Sequence, residues 1–385
     1  MKFLYSHRTR SADGQYVHIR HLTEALHARG HEIIMAGPDN EAVASKNLDA
    51  GQNSGGLKTM MPRAMYECAE FGYSFAGYRR LKHKAAMSAP DILYERYNLF
   101  YHAGLWAKKN LNLPMILEVN APLVDERMRH GGLALRGLAR RSEHAIWNSA
   151  DMVLPVTNAL ADHVRAAGVH EDRIQIIQNG VSEDFLTDID PAPIRERYNL
   201  QGKLVLGFTG FVRDWHGVDR VLHFIADAKD KNLHLLLVGD GPARVGLEEL
   251  ADELGIRNQL TVTGVVQRED MVAHVEAIDI ALQPAVTAYA SPLKLFEYMA
   301  RGKPIIAPAS ANICEVLTDN TDALLFNDSD ERAFVDALAR LFKDQDLRAR
   351  IGIGARETLT RKDYTWAGNA RHVEKIAERL MRKST

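Results

Sequence analysis

The chain has 385 residues, 46% hydrophobic and 25% charged, with a formal net charge of −2 at pH 7. Domains of roughly 100 to 200 residues make two the natural expectation, and the composition excludes a disordered, collagenous or disulfide-stapled chain. Two cysteines, Cys68 and Cys314, stand far apart in no metal-ligand spacing, so neither a disulfide framework nor a metal site is expected.

The N-terminus Met1 to Ser6 reads as a short buried strand and not as a signal peptide. No apolar run approaches the roughly 20 residues of a membrane-spanning helix, so a cytoplasmic protein is expected, attached at most peripherally. Apolar runs Lys2–Ser6, Glu32–Ala36, Ile92–Glu95, Met115–Val119, Met152–Val156 and Ile174–Ile177 form a first series of strands. Leu204–Gly207, Leu233–Val238, Leu260–Thr263, Ile278–Gln283, Pro304–Ala307 and Ala323–Phe326 form a second. Helix-period segments alternate with them, Val17–Arg29 among them, which is the pattern of parallel sheets with crossover helices. The fold class is therefore α/β, with two Rossmann-like doubly wound domains. The acidic segment Asp184–Pro193, with its two prolines, is expected as the hinge. Residues 1–183 make the first domain and 184–364 the second, while a last helix at 365–385 is free to complete the first.

Charge is unevenly spread. Between Lys58 and Arg141 stand 14 Lys and Arg against 7 Asp and Glu. No helix-turn-helix, zinc-finger or RNA-stacking motif accompanies them, so nucleic acid is not expected as a partner.

The stretch from Tyr289 to Pro304 lies between two predicted strands. Ser291 is a favoured N-cap residue and Pro292 a favoured first helical residue. A helix beginning there, past the carboxyl end of a parallel strand, offers free N–H groups and a positive dipole end to a phosphate. Lys294 can neutralise a diphosphate, and Glu297, on the same face, can accept hydrogen bonds from ribose hydroxyls. The same spacing also suits a solvent-facing Lys–Glu pair. The three-glycine dinucleotide fingerprint is missing after the first strand, and Gly239-Asp-Gly241 supplies only part of it, which counts against a dehydrogenase.

With these residues in view, the sequence resembles the retaining glycosyltransferases of family 4, which have the GT-B fold of two Rossmann-like domains facing across a cleft. The resemblance rests on Asp13-Gly-Gln15, Arg29-Gly-His31, Gln178-Asn-Gly-Val181, Gly210-Phe-Val-Arg-Asp-Trp-His-Gly217, Val238-Gly-Asp-Gly-Pro242 and Ser291 to Glu297. It is similar in flavour to bacterial exopolysaccharide or lipid-linked oligosaccharide transferases. The resemblance implies a UDP- or GDP-type sugar donor, no cofactor, and a glycan or lipid-diphosphate-linked acceptor. It places the ribose on Glu297 and the diphosphate on Lys294 and Arg213, near Gly210, Gly239, Ser291, Pro292 and Leu293, with Val266 at the base. Arg213 could instead pair with Asp214 or Asp219. His216 stands where relatives often have lysine, which would make phosphate binding pH dependent. Tyr289 stands where relatives carry a glutamate to the sugar.

On the acceptor side the resemblance implies Gly14 near the donor phosphate, Asp13, Gln15 and Glu118 on the acceptor, and Asn120 toward the sugar. Glu118 and Glu95 could equally be buried partners of arginines. Retention would need no enzymic base, only positioning and charge on the leaving diphosphate from Arg213 and Lys294. An inverting enzyme would use Asp13 or Glu118 as base. A sugar-nucleotide epimerase and an inactive nucleotide-sugar binder are the alternatives. Arg127, Arg129, His130, Arg136, Arg140 and Arg141 around Leu133, Leu135 and Leu138 suit an anionic membrane surface, as do the aromatics Tyr66, Phe71, Tyr73, Phe75 and Tyr78 before Arg79 to Lys84.

Overall fold

The computed structural model describes residues 1–9, 14–38, 62–130, 132–330 and 332–384. Its contacts divide the chain into two compact units. The first is Met1–Gln178 with Tyr289–Ser291 and Trp366–Thr385; the second is Asn179–Ala288 with Pro292–Thr365.

In the first unit five strands, β1 (Lys2–Ser6), β2 (Glu32–Ala36), β3 (Ile92–Arg96), β4 (Met115–Val119) and β5 (Met152–Pro155), form a parallel sheet in the order β2-β1-β3-β4-β5. Leu4 lies opposite Ile34 and Leu93, and Leu117 opposite Val153. Every residue of β3, β4 and β5 is buried, as expected of parallel strands covered by helices on both faces. The order reverses at β1: the chain passes from β1 to β2 on one side and returns to the other side of β1 with β3. The helix Trp366–Ser384 belongs to this unit. Its Trp366, Ala370, Val373, Ile376 and Ala377 recur at helical spacing and are buried. Trp366 packs on the rings of His18 and His21, and Glu374 takes an ion pair from Arg29 and lies 3.2 Å from His31 Nε2.

The second unit holds β6 (Leu204–Thr209), β7 (Leu233–Val238), β8 (Leu260–Val262), β9 (Ile280–Leu282), β10 (Ile305–Pro308) and β11 (Leu324–Phe326), in the order β11-β10-β9-β6-β7-β8. The chain runs outward from β6 through β8, then returns to the other side of β6 with β9. That reversal makes a switch point between β6 and β9, where loops leave the sheet in opposite directions and open a crevice at their carboxyl ends.

Two expected features differ. Ile174–Ile177 makes backbone hydrogen bonds to β5 through Gln175 and Ile177 but only an isolated bridge, so it does not extend the sheet. The acidic segment Asp184–Pro193 is not a free hinge. Phe185 is buried in the second unit's core, and Arg301 donates to the carbonyls of Phe185 and Thr187. An apolar side chain with a core to enter outweighs the local charge, and the passage between units falls at Gln178–Asn179.

Candidate functional site

At the switch point of the second unit backbone N–H groups tie together the loops after β6, β7 and β8. Gly210 N–H donates to Val238, Val212 N–H to Asp240, and Gly239 N–H to Thr263 Oγ1. The approach is so close that a Cβ on Gly239, at φ +138°, would stand 2.2 Å from the Gly210 carbonyl oxygen, and one on Gly241 2.0 Å from that of Val212. Any side chain there would push the loops apart, so glycine is required by backbone contact as well as by conformation.

The helix Leu293–Ala300 is fixed against β6 by Tyr298, whose hydroxyl accepts from Thr209 N–H at 3.0 Å. This orientation sends Lys294 across the end of β6. Its ammonium sits 3.6 Å from the centroid of the Phe208 ring and within van der Waals reach of a Cβ position on Gly210. Among the described residues Lys294 has no carboxylate at ion-pair distance. Burial lowers its pKa to about 7, with Glu297 pulling the other way. Burial likewise raises the Glu297 carboxyl, opposed by the charges of Arg268 and Lys294.

Several expected placements change. Ser291 is not the N-cap: Pro292 is, at ψ 121°, with no side-chain cap, and the first helical residue is Leu293. The Ser291 hydroxyl is drawn away from the helix end and donates instead to Gln178 Oε1 at 2.9 Å. The first N–H groups of the helix are thereby left without a side-chain cap. His216 does not titrate near neutrality. It is buried, its Nδ1 accepts the Arg213 N–H at 3.0 Å, and burial with the charges of Lys294 and Arg213 lowers its pKa to about 4. A neutral imidazole accepting at Nδ1 carries its proton on Nε2.

Arg213 is exposed. Its guanidinium lies 5.3 Å from the Phe211 ring centroid, and it pairs with neither Asp214 nor Asp219 among the described residues. The structure therefore gathers Gly210, Arg213, His216, Gly239, Lys294 and Glu297 at one edge of the second unit. Val266, in the adjoining loop, packs partly buried on the core, while Val265 is 70% exposed. Tyr289 groups with the first unit, where it packs on that core and its carbonyl accepts from Thr157 Oγ1.

In the first unit Glu118 is 2% exposed and accepts from Arg96, Tyr94 and Asn120, with His18 Nε2 at 3.1 Å. Burial alone would raise its pKa, but the charges of His18 and Arg96 and the hydrogen bonds hold it well below the usual carboxylate range. Expected on the acceptor side, Glu118 is instead spent on the interior, as the buried arginine partner that the sequence left open. Asn120 places its amide on Glu118 and is thereby fixed at the end of β4. Glu95 is fully buried, accepts from Ser6 Oγ at 2.9 Å, and is raised by burial to about 8. Gly14 and Gln15 begin the helix Gly14–Ala28 and are exposed, with Gln15 Oε1 3.4 Å from Thr9 Oγ1. Asp13 lies outside the described residues. Part of the basic excess is internally matched, since Arg127 chelates Glu70 and Arg140 pairs with Asp125.

Sequence reasoning missed Arg268. Its guanidinium donates to Ser182 Oγ at 3.3 Å, its buried Nε has no hydrogen-bond partner among the described residues, and its charge is the largest counter to burial at Glu297. The available signal was a cation two residues past the Gly264-Val-Val266 loop. Among the described residues no group of three His, Cys, Asp or Glu side chains could hold a metal ion.

Comparison with known proteins gives one family model per half. The model described as "Glycosyltransferase Family 4" matches residues 12–185, and that described as "Glycosyl transferases group 1" matches 192–358. A D-inositol 3-phosphate glycosyltransferase of Xylanimonas cellulosilytica is 25% identical over 94% of this chain and 91% of its own length. The lipopolysaccharide core biosynthesis glycosyltransferase LpsD of Rhizobium meliloti is 31% identical over 55% of this chain. The match spans 60% of that relative, as it does of one further curated relative. Among solved structures, HepE of Anabaena in complex with UDP superposes with a TM-score of 0.77 at 16% identity, covering 98% of this chain and 100% of that one.

Proposed function

Because the chain belongs to the family 4-type glycosyltransferases of GT-B fold, we propose that its second unit binds a nucleoside-diphosphate sugar at Gly210, Arg213, Lys294 and Glu297 and passes the sugar, with retained configuration, to a glycan or lipid-linked acceptor of cell-surface polysaccharide synthesis. The observation that carries this reading is Lys294, a half-buried cation with no ion-pair carboxylate among the described residues, laid across the glycine-lined end of β6. Such a group gains most when an anion arrives, and the uncapped N–H groups of the Leu293 helix point to the same chemistry.

In this reading Glu297 accepts from the ribose hydroxyls, and Lys294 and Arg213 stabilise charge on the leaving diphosphate without a metal. The neutral His216 fixes the Arg213 backbone and offers its Nε2 proton as a further donor. Val266 and its loop lie at the base. The anomeric C–O bond to the diphosphate breaks, the acceptor oxygen bonds the same face, and its proton passes to the departing phosphate oxygen. Retention fits two described carboxyls at the edge of the first sheet: Glu118 is saturated by its partners, and burial keeps Glu95 protonated at neutral pH. Asn120 is the polar group offered to the sugar.

No helix among the described residues is long and apolar enough to cross a membrane. The reading places the chain in the cytoplasm, resting on an anionic membrane surface through Met65, Phe75 and Met87, which are 58%, 59% and 76% exposed beside Lys82 and Lys84 on the helix Arg63–Ser88.

UDP is the first nucleotide to test, since the Anabaena structure holds it. Thermal stabilisation by UDP, with GDP alongside, reports binding by mass action. Lys294→Ala and Glu297→Ala are each expected to weaken UDP at least tenfold, about 1.4 kcal/mol. If both variants respond like the parent, the donor site is misplaced. Epimerised donor without transfer would replace this reading with an epimerase.

A further inference from the structure

At the carboxyl end of β1, outside the donor site, two guanidinium groups meet one aromatic ring. The Arg8 guanidinium lies 4.8 Å from the Tyr73 centroid and 5.5 Å from that of Tyr101, and Arg80 Nη1 reaches the Tyr73 hydroxyl at 3.4 Å. Both arginines are half-buried, and neither forms an ion pair with a carboxylate among the described residues. The rack beneath them is built with little slack. Tyr101 is 1% exposed, and a Cβ on Gly77 would stand 2.4 Å from its hydroxyl oxygen; a Cβ on Gly37 would stand 2.1 Å from Nε2 of His7, itself 2% exposed. Aromatic faces orient guanidinium groups without neutralising them.

Among the described residues the surroundings add no compensating charge. His7 is held neutral by burial with the charges of Arg96 and Arg80, its pKa lowered to about 4. Glu95 is protonated at neutral pH, and Arg96 is already matched by Glu118. Two partly desolvated like charges gathered on one aromatic ring are unfavourable unless an anion joins them. A guanidinium fork fits phosphate oxygens two at a time, and the position is the ligand-bearing edge of an open parallel sheet beside its switch strand.

We propose that Arg8 and Arg80 form an anion site that holds a phosphate or diphosphate group on the acceptor. The inference rests on the transferase reading and narrows its acceptor to phosphate-bearing molecules, either soluble or lipid-borne. Tyr73 and Tyr101 are positioning residues, which hold the Arg8 plane toward the ligand.

The test uses the intact chain with UDP at saturation, so that the donor site is filled, titrated calorimetrically with inorganic phosphate and pyrophosphate. Saturable binding is expected, tenfold or more weaker in Arg8→Gln and in Arg80→Gln, and nearer the parent in Arg80→Lys, which keeps the charge. Thermal unfolding of each variant checks the fold. No binding by the parent, or equal binding by the parent and both glutamine variants, overturns the proposal. UDP affinity read on the same samples separates the two claims: its absence with phosphate binding intact removes the transferase reading and leaves the anion site. Glycerol phosphate and vesicles of phosphatidylcholine doped with phosphatidate then distinguish the sources. Arginine-dependent sedimentation with the vesicles marks a lipid-borne group, and competition by glycerol phosphate without sedimentation marks a soluble one.

Discussion

At the carboxyl edge of the first sheet Glu118 is closed in by Arg96, Tyr94, Asn120 and His18, whereas at the corresponding edge of the second sheet Lys294 meets an aromatic face and no ion-pair carboxylate among the described residues. Both groups are drawn out of water and both sit where α/β sheets present ligands. The difference lies in whether folding supplies the counter-charge. Where it does, the carboxyl is locked in one protonation state and contributes to stability; where it does not, the ammonium is left near its titration point and responds to a ligand. The edge of a Rossmann-like sheet is thus no guide to which ionisable groups are functional until their partners are counted.

Removing the counter-charge at Glu118 tests this contrast most severely. Glu118→Gln leaves Arg96 buried and unmatched, and should cost about 3–5 kcal/mol of first-unit stability, read as a lower denaturation midpoint. Lys294→Met should cost far less, and an equal loss in the two variants would break the comparison.

Glu95 sharpens it from the other direction, as a buried carboxyl with no cation paired to it among the described residues. Its pKa is raised to about 8, so the folded chain holds a proton that the unfolded chain releases above about 4.5. The parent should lose stability relative to Glu95→Gln as pH rises from 5 to 8, by at most about 3–4 kcal/mol. Above pH 8 the difference should level. Parallel pH profiles for the two proteins would show that Glu95 is not held neutral.

The smallest effect concerns the donor site. With Lys294 near 7 in the empty protein, a bound diphosphate raises its pKa and binding takes up a proton. UDP affinity should be greatest below pH 7 and fall by up to about 1.4 kcal/mol, tenfold, for each pH unit above it. On the acid side, affinity should fall where Glu297, itself raised by burial, becomes protonated. Calorimetry in buffers of different ionisation enthalpy reads the proton directly, and a flat profile across pH 7 to 9 would remove Lys294 from the diphosphate.

Local pattern carried much of this protein. The alternation of apolar runs with helix-period segments located nearly every strand, because a strand buried on both faces must be apolar along its length. Ser291 to Glu297 pointed to a helix starting at the sheet edge, and Lys294 and Glu297 do lie on it. What failed were assignments that depend on a competing partner. Ser291 had the right chemistry for a cap, yet found Gln178; the acidic segment after Glu183 looked solvated, yet Phe185 carries it into the second core.

The sequence by itself determined two α/β domains, the order of their strands along the chain, and the glycines and charges at the loops after β6 and β9. Only the tertiary structure decided that the last helix joins the first unit, that Glu118 is matched while Lys294 is not, that His216 is neutral, and that Arg8, Arg80 and Tyr73 come together. The reason is physical. Periodicity records what one segment needs to bury, whereas the charge state of a side chain depends on groups brought to it from other segments, as His18 and Arg96 are to Glu118.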